Sequence, residues 1–311
     1  MSSKVRSDWA LRVLKSQQSL SDRKFGLLLV LPTILTVLFV TIVPMLWSLW
    51  LSFNLWNPTS INPTPRFIGV ENYVWLVNQP RFWESIINFL YYGVGGVIIQ
   101  TILGTVLALA LYNAVNNPTL KISLLVLFTA PMMYAPIVAG NVWTLLFSPS
   151  GVINGIFQML GIPVVQWLGS RWLGLTSLMI ADTWQWLGLP LIIVYGGRVG
   201  LSESMYEAAR IENASRWMMF RWITYPQLRN LIVIAALLRF MDIYKLFDKL
   251  FIMTSGGPGT ATELPTYYAY VTGFNTYNVG RAAALTWVLG FGATLVMLTF
   301  WRYIQRSEVD L

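Results

Sequence analysis

Long apolar stretches separated by short polar ones set the pattern of this chain. A membrane-spanning helix needs about 20 mostly apolar residues. Six stretches meet or approach that: Phe25–Phe53, Ile86–Tyr112, Leu120–Phe147, Trp172–Tyr195, Leu231–Met253 and Ala282–Ile304. The first is uncharged, although Pro32 and Pro44 lie within it, and the fifth is interrupted by charge. The expected fold class is an all-α integral membrane bundle of about six helices. Pro131 and Pro136 fall inside the third stretch. Proline frees a backbone carbonyl that neighbouring helices must satisfy, so both prolines are expected in a packed interior.

Basic residues orient the bundle. The N-terminal stretch carries Lys4, Arg6, Arg12, Lys15, Arg23 and Lys24. The connection after the fourth span carries Arg198, Arg210, Arg216, Arg221 and Arg229, and the C-terminal end carries Arg302 and Arg306. The opposite side has only Arg66, Arg81, Arg171 and the boundary residue Arg281. The positive-inside rule then places both termini in the cytoplasm. The expected organisation is a cytoplasmic tail at 1–24, a membrane domain at 25–305 with a cytoplasmic loop at 196–230, and a short cytoplasmic tail at 306–311.

Composition agrees with the membrane reading. Only 11% of residues are charged against 56% hydrophobic, too little polar surface for a water-soluble sphere of this size. The net charge of +8 sits in particular loops and forms no single patch, which argues against nucleic acid as a partner. There is no Cys and no His, which removes disulfides, thiolate metal sites and the commonest general base. A carboxylate enzyme built on Asp182, Asp242 or Asp248 is the alternative that composition leaves. No cleavable signal peptide is expected, since the first apolar run is too long for one.

The loop 196–230 is the most informative segment. Ser204-Met205-Tyr206-Glu207 has the form of a capping box, with Ser204 as N-cap and Glu207 reaching back. Strong helix formers follow, then Asn213, which tolerates the left-handed conformation that ends helices. Ala214–Trp222 can form a second short helix, and Pro226 is expected to end the segment before the fifth span. On these features alone the loop can be a solvated helix lying on the membrane.

The order of residues adds a second reading. Glu207-Ala208-Ala209, then Asn213-Ala214, then Ile223-Thr224-Tyr225-Pro226 resembles the EAA loop of permease subunits of ABC importers. The family pattern has Gly where Asn213 stands and Leu where Tyr225 stands. Asn preserves the turn chemistry, and Tyr225 is apolar enough to pack. The run Phe247-Asp248-Lys249-Leu250-Phe251-Ile252-Met253-Thr254-Ser255-Gly256-Gly257-Pro258 resembles the carbohydrate branch on its maltose-permease side. Trp186-Leu187-Gly188-Leu189-Pro190 and Arg281-Ala282-Ala283-Ala284-Leu285 are similar to that branch as well.

The resemblance implies the type I importer permease fold and a binding-protein-dependent importer. Its partners would be a second related permease, two copies of an ATP-binding subunit, an extracytoplasmic solute-binding protein and membrane lipid, in a prokaryotic inner membrane. Its cargo would be a sugar or a sugar-like solute. The loop would be a coupling helix docked on the ATPase, through Glu207, Ala208, Ala209, Glu212, Asn213, Ala214 and Pro226. No phosphate-binding Gly-x-x-x-x-Gly-Lys-Ser/Thr occurs in the chain, so ATP and Mg would be held by the partner, with no cofactor here.

Charges within the fifth span mark a candidate solute path. Arg239, Asp242, Lys245, Asp248 and Lys249 project onto one half of a continuous helix, and Arg239–Asp242 and Lys245–Asp248 are spaced to pair. Charges at that depth face water or the bundle interior. Two readings stay open: mutual neutralisation with Lys249 snorkelling outward, or a lining of the path. Tyr134, Asn141, Trp143, Asp182, Trp184, Gln185 and Tyr244 add polar and aromatic groups. Such groups suit sugars, whose C–H faces stack on rings while their hydroxyls need donors and acceptors. Trp172, at a helix start, fits an interfacial belt; Trp184 lies nearer mid-helix. An ion-coupled secondary transporter is the rival within transport.

Overall fold

The computed structural model describes the backbone of residues 3–309 and the side chains of 24–302 and 305. Lys4, Arg6, Arg12, Lys15, Arg23 and Arg306, part of the orientation argument, lie outside the described side chains. α1 (Ser3–Ser52) passes through Pro32 and Pro44 unbroken. Its apolar part, Lys24–Ser52, has no buried share in its most apolar window. A helix so apolar and so uncovered needs lipid or another chain around it.

An antiparallel pair, β1 (Asn54–Leu55) and β2 (Arg66–Phe67), opens the turn-rich segment that follows. α2 (Glu71–Val77) and α3 (Pro80–Phe89) come next, and a π-helical turn at Leu90–Val94 carries α3 into α4 (Gly95–Ala114). The third expected span is broken. α5 (Pro118–Thr129) and a tight turn at Ala130–Met133 are separated from α6 (Pro136–Phe147) by extended backbone at Tyr134 and Ala135. Pro136 excludes the residue before it from helical geometry, which gives the break its position. Pro131 is buried as expected; Pro136 is only half-buried, and α5 has no buried residue.

α7 (Val152–Met159) lies in the next connection. α8 (Arg171–Trp186) and α9 (Gly188–Val199) meet at an angle of 42°. α10 (Glu203–Ile211) and α11 (Arg216–Met219) form the loop, and a π-helical turn at Phe220–Thr224 leads into α12 (Tyr225–Tyr244). Pro226 therefore does not end the loop; it sits in the first turn of α12, directly after the π-helical turn, inside one continuous helical run. The fifth expected span is also broken, with α13 (Asp248–Met253) starting after a gap at 245–247. α14 (Pro265–Tyr270) and α15 (Val279–Val309) complete the chain.

Among the described residues, four stretches are long and apolar enough to cross a membrane: Lys24–Ser52, Pro80–Ala114, Pro136–Met159 and Val279–Arg302. The bent α8–α9 pair makes a fifth if it is one span. The main core joins Phe89, Tyr92, Leu175, Leu178, Phe240 and Ile243 from α3, the π turn, α8 and α12. A second core lies where α4 meets α9. Gly104 allows that approach, because a Cβ there would sit 2.7 Å from Pro190 Cγ and 2.9 Å from the Leu191 backbone nitrogen. Polar contacts order the outer segments. Arg81 pairs with Glu263 through two hydrogen bonds of 2.6 and 2.8 Å. Asn88 donates to the carbonyls of Ala261 and Glu263.

Candidate functional site

Where α12 breaks, the interior charges gather around one carboxylate. Asp182, from α8, accepts from Gln100 Nε2 at 2.8 Å and from Arg239 Nη2 at 2.7 Å, both on Oδ2. Its other oxygen accepts from Lys249. Arg239 also donates from Nε to Gln100 Oε1 at 2.7 Å and from Nη1 to Asp242 Oδ2 at 3.1 Å. The Trp186 ring lies 4.9 Å from its guanidinium carbon. Asp242 in turn meets Lys245 Nζ at 3.1 Å.

This relay grades from dry to wet. The side chains of Lys249, Arg239 and Asp182 are 0%, 1% and 2% exposed, while Asp242 is 29% and Lys245 75% exposed. Asp182, Asp242, Lys245 and Asp248 all border a cavity of about 130 Å³ with Arg239, Lys249 and Trp186. Two expectations are corrected. Lys249 does not snorkel outward, and Lys245 pairs with Asp242 in place of Asp248. The gap at 245–247 is the reason: it ends the α12 register, so a helical projection carried across it misplaces Asp248 and Lys249.

A separate aromatic group joins the break before α6, α6 and α8. Tyr134 stacks on Trp184 with centroids 6.1 Å apart and planes at 21°, and Trp143 meets Trp184 edge-on at 6.0 Å. Gln185 is buried and donates to the Tyr134 carbonyl at 2.7 Å, so it braces the extended break. Asn141 faces outward and bonds its own helix at the Ile137 carbonyl. Tyr244 lies away from the charged cavity: it packs on Phe89 and Phe240 and donates to the Leu289 carbonyl of α15. Sequence reasoning left out Gln100 and Trp186 as site members. Gln100 carried a usable signal, as the lone amide side chain within Gly95–Tyr112.

The loop 196–230 is built around a buried arginine. Arg198, 2% exposed, lies between the rings of Tyr112 and Tyr206, each 4.0 Å from its guanidinium carbon. Its Nη2 donates to Glu203 Oε1 at 3.0 Å, and Tyr112 donates to the same oxygen at 2.8 Å. The Tyr112 hydrogen bond, and then Arg198, hold the Glu203 carboxyl below the ordinary glutamate range.

The expected capping box does not form. α10 starts at Glu203 after Ser202, with no side-chain cap, and Ser204 lies inside the first turn with its hydroxyl 2.7 Å from that of Ser202. The contacts of Glu203 with Tyr112 and Arg198 occupy the first helical position and shift the start upstream of Ser204. Asn213 does adopt the left-handed conformation, at φ 57°. Ala214 N–H then reaches the Ala209 carbonyl and Asn213 N–H that of Arg210, a Schellman ending. Tyr206 and Thr224 share a buried hydroxyl contact of 2.9 Å that ties α10 to the entry of α12. Glu207, Ala208 and Glu212 remain exposed, Ala209 and Ala214 half-buried. Ala208, Ala209 and Glu212 line an open cleft with Met205, Trp222, Ile223 and Gln227.

A multi-pass bundle with broken helices around an interior charge relay, and a capped helical pair at one end, defines a membrane transport subunit. No family model matches the chain. The probable ABC transporter permease protein y4oQ of Sinorhizobium fredii is 33% identical over 286 residues, covering 90% of each chain. The trehalose/maltose transport system permease protein MalF of Thermococcus litoralis is 30% identical over 297 residues, covering 93% of this chain and 98% of that protein. The fold matches a chain of a bacterial ABC transporter involved in the import of the acidic polysaccharide alginate, with a TM-score of 0.80 at 20% identity over 94% of this chain and 99% of that one. The chain belongs to the permease family of carbohydrate-type, binding-protein-dependent ABC importers. Nothing among these relatives supports the ion-coupled alternative.

Proposed function

We propose that this permease forms, with a second related permease, the membrane path for a neutral, hydroxyl-rich solute of the sugar class. The carrying observation is the cavity at the α12–α13 break. Three carboxylates (Asp182, Asp242, Asp248) and three cations (Arg239, Lys245, Lys249) border it, so its fixed charges balance. A balanced lining of donors and acceptors suits hydroxyl groups and favours neither an anion nor a cation. Broken helices at mid-depth are where transporters commonly place substrate sites. Trp186 adds an aromatic ring to its lining, and the Thermococcus litoralis relative is named for trehalose/maltose transport.

Six spans follow if α12 and α13 are one broken span beside the other five. Both termini, the tails 1–24 and 306–311, and the loop 196–230 would then be cytoplasmic, in a prokaryotic inner membrane. α10 and its end, with exposed Glu207, Ala208 and Glu212 and half-buried Ala209, dock on one of two ATP-binding subunits, which hold ATP and Mg. Asn213 and Ala214 terminate that helix, and Pro226 starts the span it moves. An extracytoplasmic binding protein delivers the solute to the opposite side.

The test is uptake by the assembled importer of neutral sugars, uronates and sugar phosphates, normalised to complex. Neutral sugars are expected to be taken up. Asp242→Asn and Trp184→Ala should change the preference among them with assembly retained. Equal loss for every solute, tracking abundance, rejects the path assignment.

A further inference from the structure

The loop end of the bundle holds a second and larger cleft, of about 550 Å³, between the last turns of α4 and the α10–α11 segment. Arg198, Arg210 and Arg216 line it, together with Asn113, while Leu109 and Phe220 give it an apolar wall. Arg210 and Arg216 are exposed and take part in no ion pair among the described residues. The neighbouring carboxylate, Glu203, is already engaged by Arg198 and Tyr112. Arg198 is 2% exposed, and its Nη1 finds no hydrogen-bond acceptor. A buried guanidinium donor without an acceptor is costly enough to be rare in a finished structure. Three cations, one of them short of an acceptor, call for an anion with several oxygens.

The surroundings distinguish among anions. Trp217 and Trp222, 69% and 72% exposed, flank the segment, and exposed tryptophans beside a membrane bundle sit at headgroup depth. Leu109 lies one turn further into α4 than Asn113, so the cleft changes from polar to apolar towards the bilayer core. Free phosphate would satisfy the arginines and leave that wall uncovered. A phosphate diester carrying acyl chains satisfies both.

We propose that this cleft binds the phosphate headgroup of an anionic phospholipid, with the arginines on the phosphate and the first acyl segment against Leu109 and Phe220. The bound headgroup ties α10, through Arg210, to α4. It thereby stiffens the loop that carries Glu207-Ala208-Ala209. The proposal rests on placing 196–230 at the cytoplasmic membrane surface; uptake by a Glu207→Lys variant tests the coupling role of α10 separately from lipid.

The experiment follows thermal unfolding of the full-length chain in detergent, titrated with dioctanoyl phosphatidylglycerol, dioctanoyl phosphatidylcholine or inorganic phosphate. Phosphatidylglycerol is expected to raise the midpoint, and the other two are not. R210Q/R216Q should need at least about tenfold more phosphatidylglycerol for the same shift. R210K/R216K should recover most of the response, which separates lost charge from a damaged fold. Equal stabilisation by phosphatidylcholine, stabilisation by inorganic phosphate alone, or an unchanged response in R210Q/R216Q overturns the proposal. Repeated with the ATP-binding subunits bound, the lipid response should persist. Its disappearance would assign the arginines to the contact between subunits and overturn the lipid assignment.

Discussion

Asp182 closes the interior charges, and its two cations come from residues 57 and 67 positions away in sequence. Replacing it by Asn leaves Arg239 and Lys249 buried with one anion fewer. Removing one partner of a buried pair costs about 3–5 kcal/mol. Asp182→Asn should therefore lower the thermal midpoint and the membrane level of the protein. Asp242→Asn should cost less than about 1 kcal/mol, because Asp242 is 29% exposed and Arg239 keeps Asp182 and Gln100. Thermal unfolding of both purified variants checks the contrast; wild-type stability in Asp182→Asn would show that its cations are satisfied elsewhere. The charges themselves were legible in the sequence, but their pairing was not. Spacing along one helix nominated Asp248 for Lys245, and nothing local pointed Lys249 at a residue on α8.

Two elements lend themselves to test. Gly104 lets α4 lie against α9, and Gly104→Val should force the two apart, at about 1–3 kcal/mol for overpacking. Gly96→Ala is the control, since its nearest neighbour would be an ordinary 3.5 Å away. A lowered midpoint is expected for the first and little change for the second. On α10, Glu207 is exposed and belongs to no cap. Glu207→Lys should leave the fold intact and reduce uptake strongly at matched expression; near-normal uptake would make α10 a plain surface helix. The α4 and α9 regions were readable from hydropathy, α10 from its helix-forming residues, and the left-handed end from the residue type of Asn213. The start of α10 was misread because a tertiary contact, Glu203 with Tyr112 and Arg198, outweighs the local capping preference of Ser204. The break before Pro136 had a local cause. The gap at 245–247 has no proline or glycine to announce it.

For the molecule as a whole, the chain carries no phosphate-binding loop. The purified permease should show no ATP turnover above background alone, and turnover should appear only with its ATP-binding subunits. Substantial hydrolysis by the chain alone would defeat the division of labour proposed here. Its α1, with no buried residue in the most apolar window of Lys24–Ser52, fits a subunit completed by lipid and a partner.

The sequence by itself determined the membrane class, the order of the apolar helices, the permease family and the position of the loop with Glu207-Ala208-Ala209. These properties are carried by composition, by runs of apolar residues and by motifs of a few adjacent residues, so they can be read locally. Only the tertiary structure decided that Gln100, Asp182, Arg239, Asp242 and Lys249 form one relay, that Tyr244 stands apart from it, and that Arg198 is sandwiched by Tyr112 and Tyr206. Each of those facts joins side chains from different helices. Their geometry depends on where α12 breaks and how closely α4, α8 and α9 approach, which packing of the whole bundle sets.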